Sequence, residues 1–292
     1  MTQTLVSAWT SAKRRLETAG VEGPVIDARL LVEAAAEATR ADIIADPHRA
    51  LTPDQALTLE AYLARREARE PVSHILGRKG FWKIMLAVTP GVLTPRPDTE
   101  SLLDAVLPAF AEDRSFSVLD LGVGSGAILL AILAERPGAK GLGVDISEDA
   151  LAVARENAAN LGLAGRTGLL RGDWTAGLES ESFDLVVSNP PYVASGQIAD
   201  LAPEVRDHEP RLAIDGGPDG LAAYRELAPQ ILRVLRPAGR FAVEFGEGQR
   251  QAVTDLFTRA GACDLTVVND LSGHERVLAG AKKALENWAP SG

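Results

Sequence analysis

An asparagine, two prolines and a tyrosine follow an apolar stretch near the middle of the chain, in S-N-P-P-Y-V at residues 188–193. The preceding F-D-L-V-V (183–187) has the composition of a buried strand. Two adjacent prolines end such a strand, because they remove two backbone donors and fix two φ angles. Gly, Ser or Asp would make a less rigid turn. The motif therefore indicates a stiff loop that presents an amide and an aromatic ring.

The residue types of this loop suit methyl transfer to a planar nitrogen. Such a nitrogen shares its lone pair with a π system, so it is a poor nucleophile until acceptors hold its two hydrogens. The Asn189 side-chain carbonyl can accept one hydrogen, and the Pro190 backbone carbonyl the other. Tyr192 can lie against the planar group, while Pro190 and Pro191 restrict the movement of the acceptors. If the methyl group is carried on a sulfonium, the sulfur is already a good leaving group. The transfer then needs neither a strong base nor a metal.

A glycine-rich stretch, D-L-G-V-G-S-G at residues 120–126, joins a predicted strand to a predicted helix. Gly122, Gly124 and Gly126 allow a tight turn and a close approach to a ligand, with helix N–H groups directed at it. The spacing G-x-G-x-G differs from the G-x-G-x-x-G of dinucleotide sites. Asp145 ends the next strand, where a carboxylate can accept hydrogen bonds from both ribose hydroxyls. The combination predicts an adenosine-type cofactor.

Two further side chains bear on that cofactor. In R-G-D-W (171–174), Asp173 could accept from an adenine amino group and Trp174 could cover the ring, the alternative for Trp174 being an aromatic anchor at the edge of the core. Asp145 could instead cap the following helix, but Ser147 is better placed for that.

Strands and helices alternate from about residue 98. Strands are predicted at 118–121, 141–146, 168–171, 183–188 and 240–245, with helices at 127–135, 148–160, 221–235 and 249–260. Alternation predicts a parallel sheet with helices on both faces, a doubly wound Rossmann-like α/β domain. Its ligands bind beyond the carboxyl ends of the strands. Strands predicted at 263–268 and 275–279 have no helix between them, so we expect them to pair antiparallel at the sheet edge.

The chain before this region has a different character. Helices are predicted at 4–19, 25–38 and 53–69, which indicates a small helical bundle. Residues 80–93 read as two short strands around a Thr89-Pro90-Gly91 turn. We therefore predict a helical domain at 1–78, a β-hairpin linker at 79–97 and a catalytic domain at 98–292.

Charge and composition restrict the possible partners. Residues 1–85 hold 12 Lys/Arg and 11 Asp/Glu, and the remainder holds 18 and 29, so the net charges are about +1 and −11. Neither part has the basic surface expected of a protein that grips bare nucleic acid. No apolar run approaches the ~18 residues of a membrane span, and the N-terminus lacks a signal-peptide pattern. The single cysteine, Cys263, is expected to be a small buried hydrophobe. A cytoplasmic enzyme fits these properties.

The glycine-rich stretch, the strand-ending aspartate and N-P-P-Y together resemble S-adenosylmethionine-dependent methyltransferases that act on planar nitrogens. Four longer stretches narrow the resemblance to the PrmC/HemK family of protein-(glutamine-N5) methyltransferases. They are P-V-S-H-I-L-G-R-K-G-F-W (71–82), T-P-R-P-D-T-E (94–100), E-P-R-L-A-I-D-G-G-P-D-G-L-A-A-Y-R (209–225) and D-L-S-G-H-E-R-V (270–277). The resemblance covers nearly the whole chain. Residues 94–100 best distinguish this family from the related glutamine methyltransferase that acts on a large-subunit ribosomal protein. That enzyme has a different sequence after its Pro-Arg.

The resemblance implies a donor, a substrate and a set of residues. The donor is S-adenosyl-L-methionine, which leaves as S-adenosyl-L-homocysteine. The cofactor-binding residues implied are Gly122, Val123, Gly124, Ser125, Gly126, Asp145, Trp174 and Asn189. The substrate implied is the glutamine of the Gly-Gly-Gln motif in class I peptide chain release factors. Asn189, Pro190, Pro191 and Tyr192 would hold its side-chain amide, with Asn189, Pro190 and Tyr192 catalytic. The helical N-terminal domain would help to hold the release factor.

The sequence departs from the family pattern at two positions. Val123 stands where Thr is frequent, which could alter a small contact with the cofactor, and Thr94 stands where an aliphatic residue is usual, which affects packing. Two roles remain open for Arg96: reaching a carboxylate of substrate or cofactor, or pairing with Asp98 or Glu100. The long loop from Glu209 to Asp219 is expected to lie beside the substrate.

The main alternative is an N-methyltransferase of a nucleic-acid base, because a flipped base offers a similar amino group. The charge balance opposes it, so we expect no direct nucleic-acid partner and no membrane partner. A glutamine of a ribosomal protein is a further possible substrate. A non-catalytic adenosine-binding module would not need N-P-P-Y, and a nicotinamide dehydrogenase is opposed by the glycine spacing.

Overall fold

The computed structural model describes residues 3–284. The chain forms two compact units: one runs up to Arg78 and includes Ala202–His208, and the other comprises Lys79–Leu201 and the chain from Glu209 onwards. The outer ends of the predicted ranges 1–78 and 98–292 lie outside the described residues. No helix in the described part of the chain is long and apolar enough to cross a membrane.

The first unit is helical. Its helices are α1 (Leu5–Thr18), α2 (Pro24–Ala35), α3 (Arg40–Ala45), α4 (Pro53–Glu67) and α5 (Val72–Leu76). Thr4, Thr39 and Thr52 begin α1, α3 and α4 with capping boxes, in which the threonine side chain accepts from a backbone N–H three residues later. Helices α3 and α5 were not predicted, because six and five residues are too few to show a helical period.

The hairpin that follows turns earlier than predicted. Its strands are β1 (Arg78–Phe81) and β2 (Ile84–Ala87), so the prediction of two strands around Thr89-Pro90-Gly91 is wrong. The chain does turn there, with the Val92 N–H donating to the Thr89 carbonyl (3.2 Å), but this turn follows the hairpin. The hairpin turn lies at Trp82 and Lys83, where Trp82 adopts a φ of 52°, which bulky side chains rarely do. The Trp82 backbone N–H donates to Glu100 Oε1 (2.7 Å) and its indole N–H to Glu135 Oε1 (3.1 Å). These partners, which are distant in sequence, stabilise a turn that the local residue types do not predict.

A seven-stranded sheet forms the centre of the second unit. Its strands are β3 (Phe116–Leu121), β4 (Ala139–Asp145), β5 (Thr167–Arg171), β6 (Phe183–Ser188), β7 (Leu235–Glu244), β8 (Ala262–Asn269) and β9 (Glu275–Lys282). The spatial order is β5-β4-β3-β6-β7-β9-β8. The pairings from β5 to β7 are parallel, and β9 runs antiparallel to both β7 and β8. The predicted antiparallel pair at the sheet edge is confirmed.

Helices cover both faces of this sheet. They are α6 (Ser101–Val106), α7 (Ala127–Glu135), α8 (Glu148–Asn160), α10 (Ala222–Val234) and α11 (Arg250–Ala260), with the short α9 (Pro203–Arg206) in the first unit. Leu102, Leu129 and Leu151 belong to one buried apolar cluster, and Tyr224 and Phe257 to the other. The doubly wound Rossmann-like fold is confirmed. Cys263 is half-buried in β8 rather than buried, and its Sγ donates to the Ala281 carbonyl (3.4 Å).

The strand order changes direction at β3. Connections lead from β3 outward through β4 to β5, and the chain then returns to the other side of β3 to form β6. Leu121, at the end of β3, is in register with Val144 of β4 and Ser188 of β6. Ligands of open α/β sheets bind beyond the carboxyl ends of the strands at such a switch point.

Candidate active site

A cavity of about 300 Å³ lies at this switch point. Its wall includes the glycine-rich loop after β3, the end of β4, the residues after β5 and the loop after β6. The predicted site residues in the wall are Gly122, Val123, Gly124, Ser125, Asp145, Asp173, Trp174, Asn189 and Pro191. Residues 91–96, Thr99, the first residues of α7 and the loop that begins at Glu209 also contribute to it.

The glycine-rich loop depends on backbone conformations that favour glycine. Gly122, Gly124 and Gly126 have φ angles of 74°, 54° and 84°. A Cβ on Gly126 would lie 2.9 Å from Leu130 Cδ1, so a side chain there would disturb the first turn of α7. Gly126 is therefore part of the loop's framework, and it is not a wall residue.

The Asp145 carboxylate fixes the loop from β4. Its Oδ2 accepts from the Gly124 N–H (2.9 Å) and its Oδ1 from the Ser147 N–H (2.9 Å). Ser147 caps α8 by accepting from the Ala150 N–H (3.2 Å), as the sequence predicts. Each carboxylate oxygen has a second lone pair available for a ligand hydroxyl. Asp145 can thus order the glycine loop and face a ribose at once.

Trp174 stands beside the glycine loop. Its backbone adopts a φ of 47°, and its ring atom Cζ3 lies 3.7 Å from the position of a Cβ on Gly122. The indole N–H donates to Glu226 Oε2 (3.1 Å), which holds the ring against the cavity. A flat apolar surface in this place suits a purine ring.

The four residues of N-P-P-Y have different surroundings. Asn189 and Pro191 contribute to the cavity wall, whereas Pro190 is buried and, like Tyr192, is not among the described wall residues. The Asn189 Nδ2 donates to Thr99 Oγ1 (3.1 Å), which directs the carbonyl end of the amide the other way.

Tyr192 is packed into the protein. Burial, together with the neighbouring Glu244 carboxyl, raises the pKa of its phenol. The hydroxyl donates to Glu244 Oε1 (3.3 Å), and the Tyr192 backbone carbonyl accepts from Gln249 Nε2 (2.9 Å). A Cβ on Gly246 would lie 2.9 Å from Tyr192 Cδ2, so this glycine makes room for the ring. A ring face toward a substrate remains a prediction.

Arg96 pairs with Glu209 rather than with Asp98 or Glu100. Its Nη2 lies 2.9 and 2.8 Å from the two carboxylate oxygens of Glu209. Burial raises the pKa of Glu209, and the Arg96 charge opposes that rise. The ion pair joins P-R-P-D-T-E to the loop after α9, of which Pro210, Leu212 and Ala213 contribute to the cavity wall.

The sequence patterns do not single out three buried groups, of which Thr99 lines the cavity and the other two adjoin residues of the site. Thr99 lies within P-R-P-D-T-E, and Glu244 ends β7 in the apolar run F-A-V-E-F. A carboxylate in such a run is a detectable signal, because a lone buried charge is costly. Asp120 is the third: burial raises its pKa to about 8, and its Oδ2 accepts from the Leu129 N–H (3.1 Å).

Comparison with known proteins agrees with this fold and site. Residues 112–276 match a family profile described as a methyltransferase domain, and residues 7–77 match the PrmC N-terminal domain. The fold and site thus define a methyltransferase. The chain is 65% identical to a release factor glutamine methyltransferase of Caulobacter vibrioides, over 99% of this chain and 100% of that protein. Those of Rhodospirillum rubrum and Moorella thermoacetica are 50% and 42% identical, over 92% and 94% of this chain and 82% and 96% of theirs. The chain belongs to the family of release factor glutamine methyltransferases.

Proposed function

We propose that this protein transfers a methyl group from S-adenosylmethionine to the side-chain nitrogen of the glutamine in the Gly-Gly-Gln motif of class I release factors. The observation that carries the proposal is one cavity walled by both the glycine loop with Asp145 and the Asn189 amide, in a chain of this family. The residues fit the donor: the loop offers backbone N–H groups, Asp145 a carboxylate and Trp174 a flat surface.

S-adenosylmethionine supplies a methyl group on a positively charged sulfur. Asn189 accepts one hydrogen of the substrate amide through Oδ1, and the Pro190 backbone carbonyl accepts the other. With both hydrogens held, the nitrogen lone pair is left free for the methyl group that bound S-adenosylmethionine would supply, with S-adenosylhomocysteine as the leaving product. The methylated nitrogen would then lose one proton to solvent. No residue needs to remove that proton beforehand.

The helical unit has a proposed role in holding the release factor. Residues 7–77 match the PrmC N-terminal domain, and four large apolar side chains are exposed in the described part of this unit: Val25, Ile26, Ile44 and Leu57. Exposed apolar side chains supply contact area for a protein partner. A substrate that works in translation would place the enzyme in the cytoplasm.

A competition experiment tests the substrate class. The protein is incubated with S-adenosylmethionine carrying a radioactive methyl group, together with a release factor and ribosomal RNA. The proposal expects label in the release factor. Label in the RNA alone would favour the base methyltransferase, which N-P-P-Y by itself permits. A release factor whose target glutamine is replaced by glutamate is the control and should stay unlabelled.

A further inference from the structure

We propose that Glu244 is a positioning residue that sets, through Thr99, the direction in which the Asn189 amide faces, and that anchors the hydroxyl of Tyr192. The inference rests on the proposed function in one respect, because it takes Asn189 as the group that holds the substrate amide. Thr99 and Glu244 lie outside the N-P-P-Y motif.

The position of Glu244 is unusual for a carboxylate. It ends β7, beside β6, and it is only 1% exposed. Among the described residues, its Oε2 has no hydrogen-bond partner. A buried and incompletely paired carboxyl group costs folding free energy. A leucine or methionine at this point in an apolar strand would avoid that cost. Packing alone therefore does not account for a glutamate at position 244.

Two contacts connect Glu244 to the motif. The Tyr192 hydroxyl donates to Glu244 Oε1 at 3.3 Å. The Thr99 hydroxyl also interacts with the Glu244 carboxyl, and Thr99 Oγ1 accepts from Asn189 Nδ2 at 3.1 Å. Thr99 is 4% exposed, and both Thr99 and Asn189 line the cavity.

The direction of these bonds follows from the charge at their end. A carboxylate can only accept, so it draws the Thr99 hydroxyl hydrogen toward itself. The lone pairs of Thr99 Oγ1 then face Asn189, and they require the NH₂ end of that amide rather than its carbonyl. The carbonyl is left to accept from a substrate. Without the carboxylate, the threonine hydroxyl is free to donate to Asn189 Oδ1, and the amide can turn its donor end toward the substrate.

The surroundings of Glu244 place its titration near neutral pH. Burial raises its pKa to about 7, against the lowering effects of the Thr99 hydroxyl, the Arg276 charge and the Tyr192 hydroxyl, while Asp98 adds to the rise. Arg276 forms ion pairs with Asp98 (3.5 Å) and Asp270 (3.2 Å). These two carboxylates weaken the lowering effect of the Arg276 charge on the pKa of Glu244.

Tyr224 also lies next to Glu244, but its hydroxyl donates to the backbone carbonyl of Glu244 (2.8 Å) and not to the side-chain carboxyl group. Protonation below about pH 7 gives the carboxyl group a hydrogen of its own to donate, and its control over Thr99 is lost.

The test uses the full chain and the variants E244Q, T99V and T99S, with E156Q as the matched control. Glu156 is exposed on α8, so E156Q makes the same chemical change away from the site. E244Q and T99V should each lower kcat by about 10- to 100-fold, as misplacement of a reacting group does. KM for the release factor and the affinity for S-adenosylhomocysteine should stay near those of the parent. T99S keeps the hydroxyl and should retain most of the activity.

Three readouts separate positioning from a structural role. The parent's kcat should rise with pH and level off above about 7, and this step should vanish in E244Q, whereas any titration of Asp120 would persist. The loss in the double variant E244Q/T99V should be well below the product of the single losses, since both act through one chain of bonds. The melting temperature of E244Q at pH 8 should equal or exceed the parent's, because the buried charge is gone.

Nuclear magnetic resonance keeps the inference separate from the proposed function. The side-chain NH₂ signal of Asn189, assigned by its absence in N189A, should shift with pH near 7 in the parent and stay fixed in E244Q. A parent that does not methylate the release factor would refute the function and leave this titration to decide the inference. An unchanged kcat in E244Q, or an NH₂ signal that titrates equally in both, would overturn it.

Discussion

Asn189 is the single residue on which the proposed binding of the substrate amide depends most. In the structure, the Asn189 amide is oriented by Thr99 and lies in the wall of the same cavity as the glycine loop. That arrangement allows one carbonyl oxygen to meet a flat nitrogen beside the methyl donor.

Replacing Asn189 by alanine should lower kcat by about 10²- to 10³-fold, the usual effect of deleting one oriented partner of a transition state. The affinity for S-adenosylhomocysteine should change little, which calorimetry can check. N160A, at the exposed end of α8, is the control and should keep full activity. Undiminished turnover in N189A would show that another group positions the substrate.

For Asp145 we expect an effect on cofactor affinity rather than on kcat, because its carboxylate orders the glycine loop that we propose binds the cofactor. In D145N an NH₂ group would face the N–H of either Gly124 or Ser147, and one of these two bonds would be lost. We expect binding of S-adenosylhomocysteine to weaken by at least about tenfold, which corresponds to one lost hydrogen bond to a charged group. Calorimetry measures this directly, and an unchanged affinity would exclude Asp145 from the ribose site.

Among the elements of the fold, the loop between α9 and α10 was the least predictable. Its sequence, rich in Gly, Pro and Asp, indicated a functional connection, and the structure brings it against N-P-P-Y. The Val193 N–H donates to the Ile214 carbonyl (3.0 Å), and the Gly216 N–H to the Val193 carbonyl (2.8 Å). These bonds join segments that are distant in sequence, so no local pattern contains them.

Gly220 tests whether this contact between loops matters. Its φ is 73°, and a Cβ there would collide with the Tyr192 carbonyl oxygen. G220A should therefore displace the Tyr192 backbone and lower kcat by about 10²-fold, the usual effect of a small misplacement at a reacting site. G196A is the matched control, because a Cβ on Gly196 would meet nothing within 4 Å and its φ is ordinary. Equal activities of the two variants would contradict the proposed role of the contact.

The strands and long helices were predictable, and the reason is their regular pattern. Ala127–Glu135 and Glu148–Asn160 have the predicted bounds, because glycine or serine precedes each one and apolar residues recur through it. The hairpin was misplaced because Trp82 holds its turn through partners at Glu100 and Glu135. Likewise, the partner of Arg96 lies 113 residues away, so only the folded chain brings it close.

For the molecule as a whole, the chain enters the first unit twice. After N-P-P-Y it contributes Ala202–His208 to the helical unit and then returns to the second unit. Within the first unit, Arg66 on α4 binds both Asp27 (2.8 Å) and Glu204 (2.9 Å), and Arg69 binds Glu204 (2.7 Å). Arg66 is only 5% exposed, so its two partners are required to neutralise it.

This ion-pair network predicts how stability depends on acid. Burial alone would raise the pKa of Glu204, but hydrogen bonds from Arg69 and Arg66 lower it from 4.5 to about 2. Its contribution to the free energy of unfolding is therefore complete above about pH 4.5, and it is lost as the pH falls toward 2. Chemical denaturation from pH 6 to pH 2.5 should show a shallower loss of stability in E204Q than in the parent. An identical pH dependence would contradict the assigned role of Glu204.

Replacing Arg66 should lower the free energy of unfolding at neutral pH more than replacing Glu204 does. R66M removes the shared cation and leaves Asp27 and Glu204 with weaker pairing, so it should cost about 3 kcal/mol of unfolding free energy. R14M is the control, because it removes a charge from an exposed position on α1. Urea titration monitored by circular dichroism measures both. Equal stability of the two variants would show that the network contributes no more than a surface charge.

The position of the transferred methyl group can be mapped directly on the release factor. The parent and N189A are incubated with S-adenosylmethionine carrying a deuterated methyl group and an intact class I release factor, and the product is digested and mapped by tandem mass spectrometry. We predict one deuterated methyl group on the side-chain nitrogen of the Gly-Gly-Gln glutamine with the parent, and a rate at least about 10²-fold lower with N189A. A methyl group on any other residue, with that glutamine unmodified, would refute the proposed function.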